Sequence, residues 1–199
     1  MRHLNTLLLL MALAGSGCAY VTSSEPVGQQ PVRLEAGELS GAWAARNTVV
    51  TFEPLDIEQG RYRMQWSENG QRKSLELLLR AGPPGTAGAA PAWQFWNARV
   101  ADFEATEGST PGNDAGGAHP DHYYWGRYRL DGNELVAWGP SAERLAPLVA
   151  DGTLPGELDG DDVRLAPLGP DQLEVLSSGS RGVLMDWEYP VMLYRILEP

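Results

Sequence analysis

Residues 61–79 read RYRMQWSENGQRKSLELLL, and this stretch decides the fold. Apolar side chains occupy alternate positions on both halves of it: Tyr62, Met64, Trp66, Leu75, Leu77 and Leu79. Between the halves, Asn69-Gly70 favours a type I′ turn, which needs a positive φ at both central residues. The stretch therefore predicts an antiparallel hairpin with one buried face and one exposed face.

The same period of two continues along most of the chain. Further strands are predicted at 39–45, 48–53, 93–104, 122–130, 134–138, 163–166, 173–176, 183–187 and 191–197. Roughly eight to ten short strands at regular spacing are typical of a barrel or a sandwich. Two glycine-rich stretches, 81–91 and 106–120, are predicted to be loops at strand ends.

One helix is predicted between Ser141 and Gly152. Ser141 can cap its first turn, Gly152 can end it, and Pro147 inside it is expected to kink or split it. Its apolar face is expected to contain Leu145, Leu148 and Val149.

The first residues have the parts of a secretory signal. The basic Met1-Arg2-His3 precedes an apolar run at 7–14, and small residues follow at 15–17. The run is shorter than the ~20 residues that cross ~30 Å of hydrocarbon. We therefore expect residues 1–17 to be a signal peptide.

Cys18 is the single cysteine of the chain, so it has no internal disulfide partner. Residues 14–18 resemble the lipobox of bacterial lipoproteins, although Gly15 stands where that family usually has leucine. The resemblance implies cleavage before Cys18 and the attachment of acyl chains to this cysteine. Two or more such chains anchor a protein stably in a membrane. In lipoproteins of this kind, an aspartate directly after the cysteine resembles a signal for retention in the inner membrane. Ala19 occupies that position here, so we expect an outer-membrane location facing the periplasm.

Composition sets the domain plan and excludes some partners. Residues 18–37 are rich in Ser, Gln, Pro and Gly and are predicted to be a lipidated cysteine with a flexible tether. Residues 38–199 are expected to form a single barrel-like domain. The net charge of −11 argues against nucleic acid, which requires a basic surface.

A second family resemblance starts at Gly41-Ala42-Trp43. It resembles the Gly-x-Trp signature of lipocalins and related calycins. That resemblance implies an eight-stranded up-and-down barrel in which Trp43 plugs one end and Arg195, on the last strand, packs across the indole. An antiparallel β-sandwich is the alternative that the strand pattern leaves open.

The segment 123–158 is also similar to one found in small uncharacterised envelope lipoproteins. The similarity lies in an Arg-Tyr-x-Leu-Asp-Gly-x-x-Leu run at 127–135 and a Gly-x-Leu-x-Gly turn at 152–156. It implies no biochemical role.

Aromatic residues are the main candidates for a binding site. The chain has seven Trp and seven Tyr but three Phe, and the first two types suit surfaces that are partly apolar and partly wet. Candidate residues to line a ligand cavity are Tyr62, Met64, Trp66, Leu75, Leu77, Tyr124 and Tyr128. A barrel core that these rings simply fill is the alternative.

Signals for catalysis or metal binding are weak. His119-Pro120-Asp121-His122 offers two imidazoles and a carboxylate but no fourth ligand, and the acidic turn at 159–162 lacks the spacing of a calcium loop. No nucleophile elbow, phosphate loop or dinucleotide fingerprint is present in the sequence. We therefore expect neither a metal, a cofactor nor a catalytic residue.

Three functional hypotheses follow. The first is a non-enzymatic outer-membrane lipoprotein whose barrel binds a small apolar ligand or lipid. The second is an envelope assembly factor or inhibitor that acts through protein contacts, using loops such as 106–120. The third is a hydrolase with an unfamiliar site.

Overall fold

The structure, a computed structural model, describes residues 19–35, 37–83, 93–107, 119–177, 184–186 and 189–197. Twelve strands and three helices lie within these ranges. In chain order they are β1 (Val21–Ser23), β2 (Gln30–Pro31), β3 (Gly41–Ala45), β4 (Thr48–Asp56), β5 (Arg61–Glu68), β6 (Gln71–Ala81), β7 (Gln94–Arg99), α1 (Val100–Glu107), β8 (Tyr123–Asp131), β9 (Glu134–Trp138), α2 (Ala142–Ala150), β10 (Gly156–Asp159), β11 (Asp162–Leu165), α3 (Pro170–Ser177) and β12 (Val191–Arg195).

Eight of these strands form a closed up-and-down barrel. From β3 to β9 each strand pairs antiparallel with the next along the chain, and β12 pairs with both β9 and β3. The predicted lipocalin-like barrel is confirmed, and the sandwich alternative is wrong, because β12 joins the two edges that a sandwich would leave apart.

The hairpin of β5 and β6 forms as predicted. Asn69 and Gly70 have φ values of 51° and 78°, as a type I′ turn requires. Met64 lies opposite Leu75, and Tyr62 lies opposite Leu77, so the apolar alternate residues of both strands face the same side. Those residues are buried in the barrel core.

The barrel has two different ends. At the Trp43 end, β3 begins, β12 ends, and tight turns join β4 to β5 and β8 to β9. At the α1 end, β7 ends and β8 begins, and Phe103 of α1 packs against the barrel core. Leu39, just before β3, is buried at the Trp43 end.

A second hydrophobic core lies outside the barrel. β1, β11 and β10 extend the sheet beyond the first half of β8, and α2 and α3 contribute to this outer core. Trp125 of β8 faces the outer core, whereas Tyr124 belongs to the barrel core. The outer core consists of Val21, Val27, Phe95, Trp125, Leu145, Leu148, Val149, Leu154, Val163, Leu165, Leu173, Leu176, Leu184 and Met185.

The predicted flexible tether is wrong for the residues that the structure describes after Cys18. β1 pairs parallel with β11 and antiparallel with β8, and β2 pairs with β6. The apolar side chains in this segment explain why it joins the fold, since Val21, Val27, Val32 and Leu34 are all buried. The domain therefore includes residues before 38. Cys18 itself and the predicted signal peptide lie outside the described residues.

Buried Asn97 of β7 holds this segment against the barrel. The Val27 amide donates to Asn97 Oδ1 at 2.7 Å, and Asn97 Nδ2 donates to the carbonyls of Val27 at 3.1 Å and Leu78 at 3.2 Å. One side chain thus satisfies backbone groups of both Val27, which lies outside any strand, and Leu78 of β6.

Three helices replace the single helix that was predicted. The expected strand 93–104 ends at Arg99, where α1 begins and buries Val100. The expected strand 173–176 is part of α3, because Leu173 and Leu176 are spaced to share one helix face and both are buried. Pro170 occupies the first position of that helix, where its missing N–H costs nothing.

Helix α2 agrees with the sequence except at its cap and its proline. Ser141 is the N-cap residue, but its side chain makes no capping hydrogen bond. The predicted apolar face is buried. The helix continues through Pro147 to Ala150 rather than splitting there, and the Asp151 amide still donates to the Pro147 carbonyl.

Other predicted segments fall partly outside the description. Residues 84–92 and 108–118 of the predicted loops are not described, and neither are residues 183 and 187 of the predicted strand 183–187. Its described part, residues 184–186, forms an isolated bridge between Met185 and Pro140. Among the described residues, no helix is both long and apolar enough to cross a membrane.

We predict that Asn97→Ala lowers the free energy of unfolding by about 2–4 kcal/mol, because it leaves buried backbone groups without partners. Denaturant unfolding measures this loss. Exposed Asn133, in the β8–β9 turn, provides the control, since Asn133→Ala should change stability by less than about 0.5 kcal/mol. Equal effects of the two substitutions would contradict the role given to Asn97.

Candidate functional site

Trp43 and Arg195 close one end of the barrel. They lie opposite each other on β3 and β12, and the guanidinium carbon is 4.4 Å from the centre of the indole ring. Trp43 is fully buried, and its Nε1 donates to the Leu39 carbonyl at 2.8 Å. The contact that the lipocalin resemblance implied is therefore present.

Hydrogen bonds fix Arg195 in that position. Its Nη1 donates to the Ser40 carbonyl at 2.8 Å, and its Nη2 donates to the Glu38 carbonyl. Gly41 has a φ of +115°, a conformation that side chains with a Cβ rarely adopt. Gly41 thus allows the chain to turn between residues 38–40, whose carbonyls bind Arg195, and the start of β3.

An apolar cavity of about 70 Å³ lies inside the barrel. Its wall combines residues of several barrel strands with Leu39 and with Phe103 of α1. The lining residues are Leu39, Val50, Phe52, Met64, Trp66, Leu75, Leu77, Leu79, Trp96, Phe103, Tyr128, Leu135, Ala137, Val191 and Leu193. None of these fifteen described side chains carries a formal charge.

Five of the seven predicted lining residues line this cavity: Met64, Trp66, Leu75, Leu77 and Tyr128. The other two, Tyr62 and Tyr124, are buried in the same core but are not part of the cavity wall. Sequence reasoning missed Phe103, because residues 100–104 were assigned to a strand. It also missed Trp96, which lines the cavity from β7.

The size of the cavity limits what fits. One buried water needs about 10–15 Å³ of cavity volume, so the volume of this cavity corresponds to about five waters. This is smaller than the ~300–1,000 Å³ of pockets for drug-sized ligands. The space is therefore suited to a molecule of about five to seven heavy atoms.

Three polar atoms on the cavity-lining side chains have no hydrogen-bond partner among the described residues. They are the indole Nε1 of Trp66, the indole Nε1 of Trp96 and the hydroxyl of Tyr128. Each side chain is at most 6 % exposed, so water does not compensate them from outside. The Tyr128 hydroxyl is protonated at neutral pH, as in any tyrosine, and burial raises its pKa further.

Aromatic rings lie at the α1 end of the barrel. The ring centres of Phe103 and Tyr124 are 5.1 Å apart, and those of Tyr124 and Tyr20 are 6.0 Å apart. Burial raises the pKa of Tyr124, and nearby Glu104 adds to that effect. Tyr20 is anchored in turn, because its amide donates to Asp162 Oδ1 at 2.7 Å.

Arg127 forms a second arginine–tryptophan stack, on the outside of β8. Its guanidinium carbon lies 3.5 Å from the ring centre of Trp93 and 5.9 Å from that of Trp138. Burial lowers the pKa of Arg127, and the positive charge of Arg129 adds to this effect. No sequence motif marked this stack, since its three members are far apart in the chain.

The histidine cluster and the acidic turn have structural partners. The ring centres of His119 and His122 are 5.1 Å apart. Partial burial lowers the pKa of His122, and the nearby His119 adds to this effect. In the turn between β10 and β11, Asp159 pairs with Arg164 at 2.5 Å. Within the described ranges, no group of three potential metal ligands comes together.

We predict that Arg195→Met destabilises the protein by about 3 kcal/mol, since it removes one cation–π contact and two hydrogen bonds to carbonyl groups. Thermal and denaturant unfolding measure this loss. Arg63→Met is the matched control, because it removes only an exposed ion pair with Glu53, worth about 0–1 kcal/mol. A similar loss in both variants would show that Arg195 does not hold the barrel end.

Comparisons with known proteins do not add to this geometry. No protein-family model, no curated protein and no solved structure matches the chain. Support for a function therefore comes from the barrel itself, from the end closed by Trp43 and Arg195 and from the apolar cavity beyond it.

Proposed function

We propose that this protein is a non-enzymatic lipoprotein of the outer membrane, and that its barrel binds one small apolar molecule. The cavity in the barrel carries this proposal. Its wall consists of aliphatic and aromatic side chains from strands on all sides of the barrel, together with Phe103 at the α1 end. Such a space is unfavourable for water and favourable for hydrocarbon.

The expected affinity follows from the size of the space. Burial of each CH₂ group contributes about 0.8 kcal/mol, so a six-carbon chain gains about 5 kcal/mol and binds with a Kd of about 0.2 mM. A complete phospholipid acyl chain is longer than this cavity accommodates without movement of the wall. The proposed ligand is therefore a short apolar molecule or the end of a longer chain.

Filling the cavity tests the proposal. Ala137 of β9 lines the cavity, and we predict that Ala137→Leu abolishes the binding of hexane because the added carbons occupy the same space. NMR titration measures the binding. Ala44→Leu is the control, since Ala44 is exposed on the outside of β3 and the substitution should leave hexane binding unchanged. Absence of hexane binding to the unmodified protein would overturn the proposal.

The proposed location rests on Cys18. The lipobox-like sequence supports lipidation there, and the position of Tyr20 adds a consequence. Only Ala19 separates Cys18 from Tyr20, whose backbone is held by β11 and Asp162. An acylated Cys18 would thus keep the domain within about two residues of the bilayer, rather than at the end of a long tether.

We predict that Cys18→Ala moves the protein from the membrane fraction to the soluble fraction, because two or more acyl chains are needed for a stable anchor. Fractionation of cells with detection of the protein measures this shift. Ser16→Ala serves as the control, since it keeps a small residue before the cleavage site. A Cys18→Ala protein that stays with the membrane would rule out this anchor.

A second candidate function is contact with another envelope protein. Apolar side chains form an exposed strip across the outside of β12 and its neighbours, with Tyr194 beside Ala44 in register and Ala44 beside Val49. Its exposed members are Val49, Met192, Tyr194, Ile196 and Leu197. An exposed apolar strip of this kind favours contact with a protein partner. Such a contact would not involve the cavity, so the partner should still bind the Ala137→Leu variant.

A further inference from the structure

We infer that an open groove on the outside of the barrel binds a small zwitterion, with a phosphate group at one end and an amine at the other. The groove lies between α1 and the β5–β6 hairpin, and its volume is about 650 Å³. That volume is within the ~300–1,000 Å³ of pockets for small ligands. The groove shares no lining residue with the apolar cavity, so this inference does not depend on the ligand proposed for the barrel.

The β5–β6 hairpin is basic although the chain as a whole is acidic. Residues 61–80 contain five Lys and Arg and two Glu, a charge of +3 in a chain whose net charge is −11. The alternation of both strands places all four arginines on the outer face, since the buried residues occupy the other positions. These arginines are Arg61, Arg63, Arg72 and Arg80. An anion that approaches this face therefore meets positive side chains rather than the negative charge that prevails elsewhere.

Most charged side chains of the groove are already paired. Three of the five charged lining residues are held by partners that do not line the groove. These pairs are Arg63–Glu53, Lys73–Glu68 and Glu76–Arg61. The other two, Arg72 of β6 and Asp102 of α1, are exposed and have no ion-pair partner among the described residues. Two opposite charges thus line one groove from different elements without an ion pair between them.

The β6 side of the groove favours a phosphate group. The guanidinium of Arg72 can bind two phosphate oxygens at once. Gln71 and Ser74 also line the groove and can donate further hydrogen bonds. A phosphate group has three strong acceptor oxygens, so it can use more of these donors than a carboxylate can.

The α1 side of the groove favours an amine. The carboxylate of Asp102 accepts hydrogen bonds, and a protonated primary amine donates up to three. A ligand with a phosphate group alone would leave Asp102 repelling it, whereas a zwitterion satisfies Arg72 and Asp102 together. Because a single exposed ion pair contributes little, we expect strong preference for a ligand that engages both groups.

NMR titrations at neutral pH and low salt test the inference with O-phosphoethanolamine and with its two halves, inorganic phosphate and ethylamine. We expect phosphoethanolamine to bind at least about fivefold more tightly than either half. Arg72→Gln and Asp102→Asn should each weaken its binding by about fivefold, because each removes one of the two ion pairs. Asp102→Asn should leave phosphate binding unchanged or strengthen it, because it removes a negative charge.

Matched controls separate this groove from a general effect of charge. Arg129→Gln removes an exposed arginine of β8, and Asp171→Asn removes an exposed aspartate from the first turn of α3, as Asp102 is in the first turn of α1. Both controls should change phosphoethanolamine binding by less than about twofold. The midpoint of thermal unfolding should stay the same in all four variants, since each changes an exposed side chain.

Phosphoethanolamine exists both as a free molecule and as a lipid headgroup, and vesicle flotation distinguishes these sources. The Cys18→Ala protein, which lacks the proposed acylation site, is floated with vesicles of phosphatidylcholine, with or without phosphatidylethanolamine. Retention only on the mixed vesicles would assign the headgroup as the ligand. Retention on neither, together with binding of soluble phosphoethanolamine, would assign the free molecule. Equal retention on both would contradict the preference for a primary amine.

Two results would overturn the inference. One is phosphoethanolamine that binds no more tightly than inorganic phosphate. The other is Arg72→Gln and Asp102→Asn variants that weaken binding no more than Arg129→Gln and Asp171→Asn do. Neither result changes the binding of hexane in the cavity, so the proposed function is tested separately.

Discussion

Closure of the barrel by β12 is the constraint on which the rest of the structure depends. β12 pairs with β9 on one side and β3 on the other, and without it both of those strands would be sheet edges. Arg195, at the end of β12, adds a contact with Trp43 and hydrogen bonds to two carbonyl groups before β3. The chain that separates β9 from β12 can therefore form an outer layer without disturbing the barrel.

The barrel was predictable because its signals are local. The alternation at 61–79, the Asn69-Gly70 turn and the Gly-x-Trp motif each act over a few residues, and each is present in the structure. The outer core was not predicted, although a signal existed. In 123–125 aromatic residues do not alternate with polar ones, as expected for a strand buried on both faces. Tyr124 faces the barrel core and Trp125 faces the outer core.

The candidate site was only partly predictable, for a physical reason. Period two shows which side chains face inward, and this placed Met64, Trp66 and Tyr128 beside the cavity. It does not show where inward side chains fail to fill the space, because that depends on how several strands and α1 come together. Long-range polar contacts are equally hidden. Asn97 binds a backbone segment seventy positions earlier in the chain, and no pattern around Asn97 marks it.

The pairing of β1 has a consequence for the order of folding. Val21 lies beside Val163 in a parallel ladder, and Tyr20 is bonded to a residue 142 positions later. β1 therefore cannot take its place until most of the chain is available, and closing so long a loop slows folding. The barrel hairpins depend on near neighbours and can form earlier. The first described residues of the chain are thus among the last to be incorporated into the folded domain.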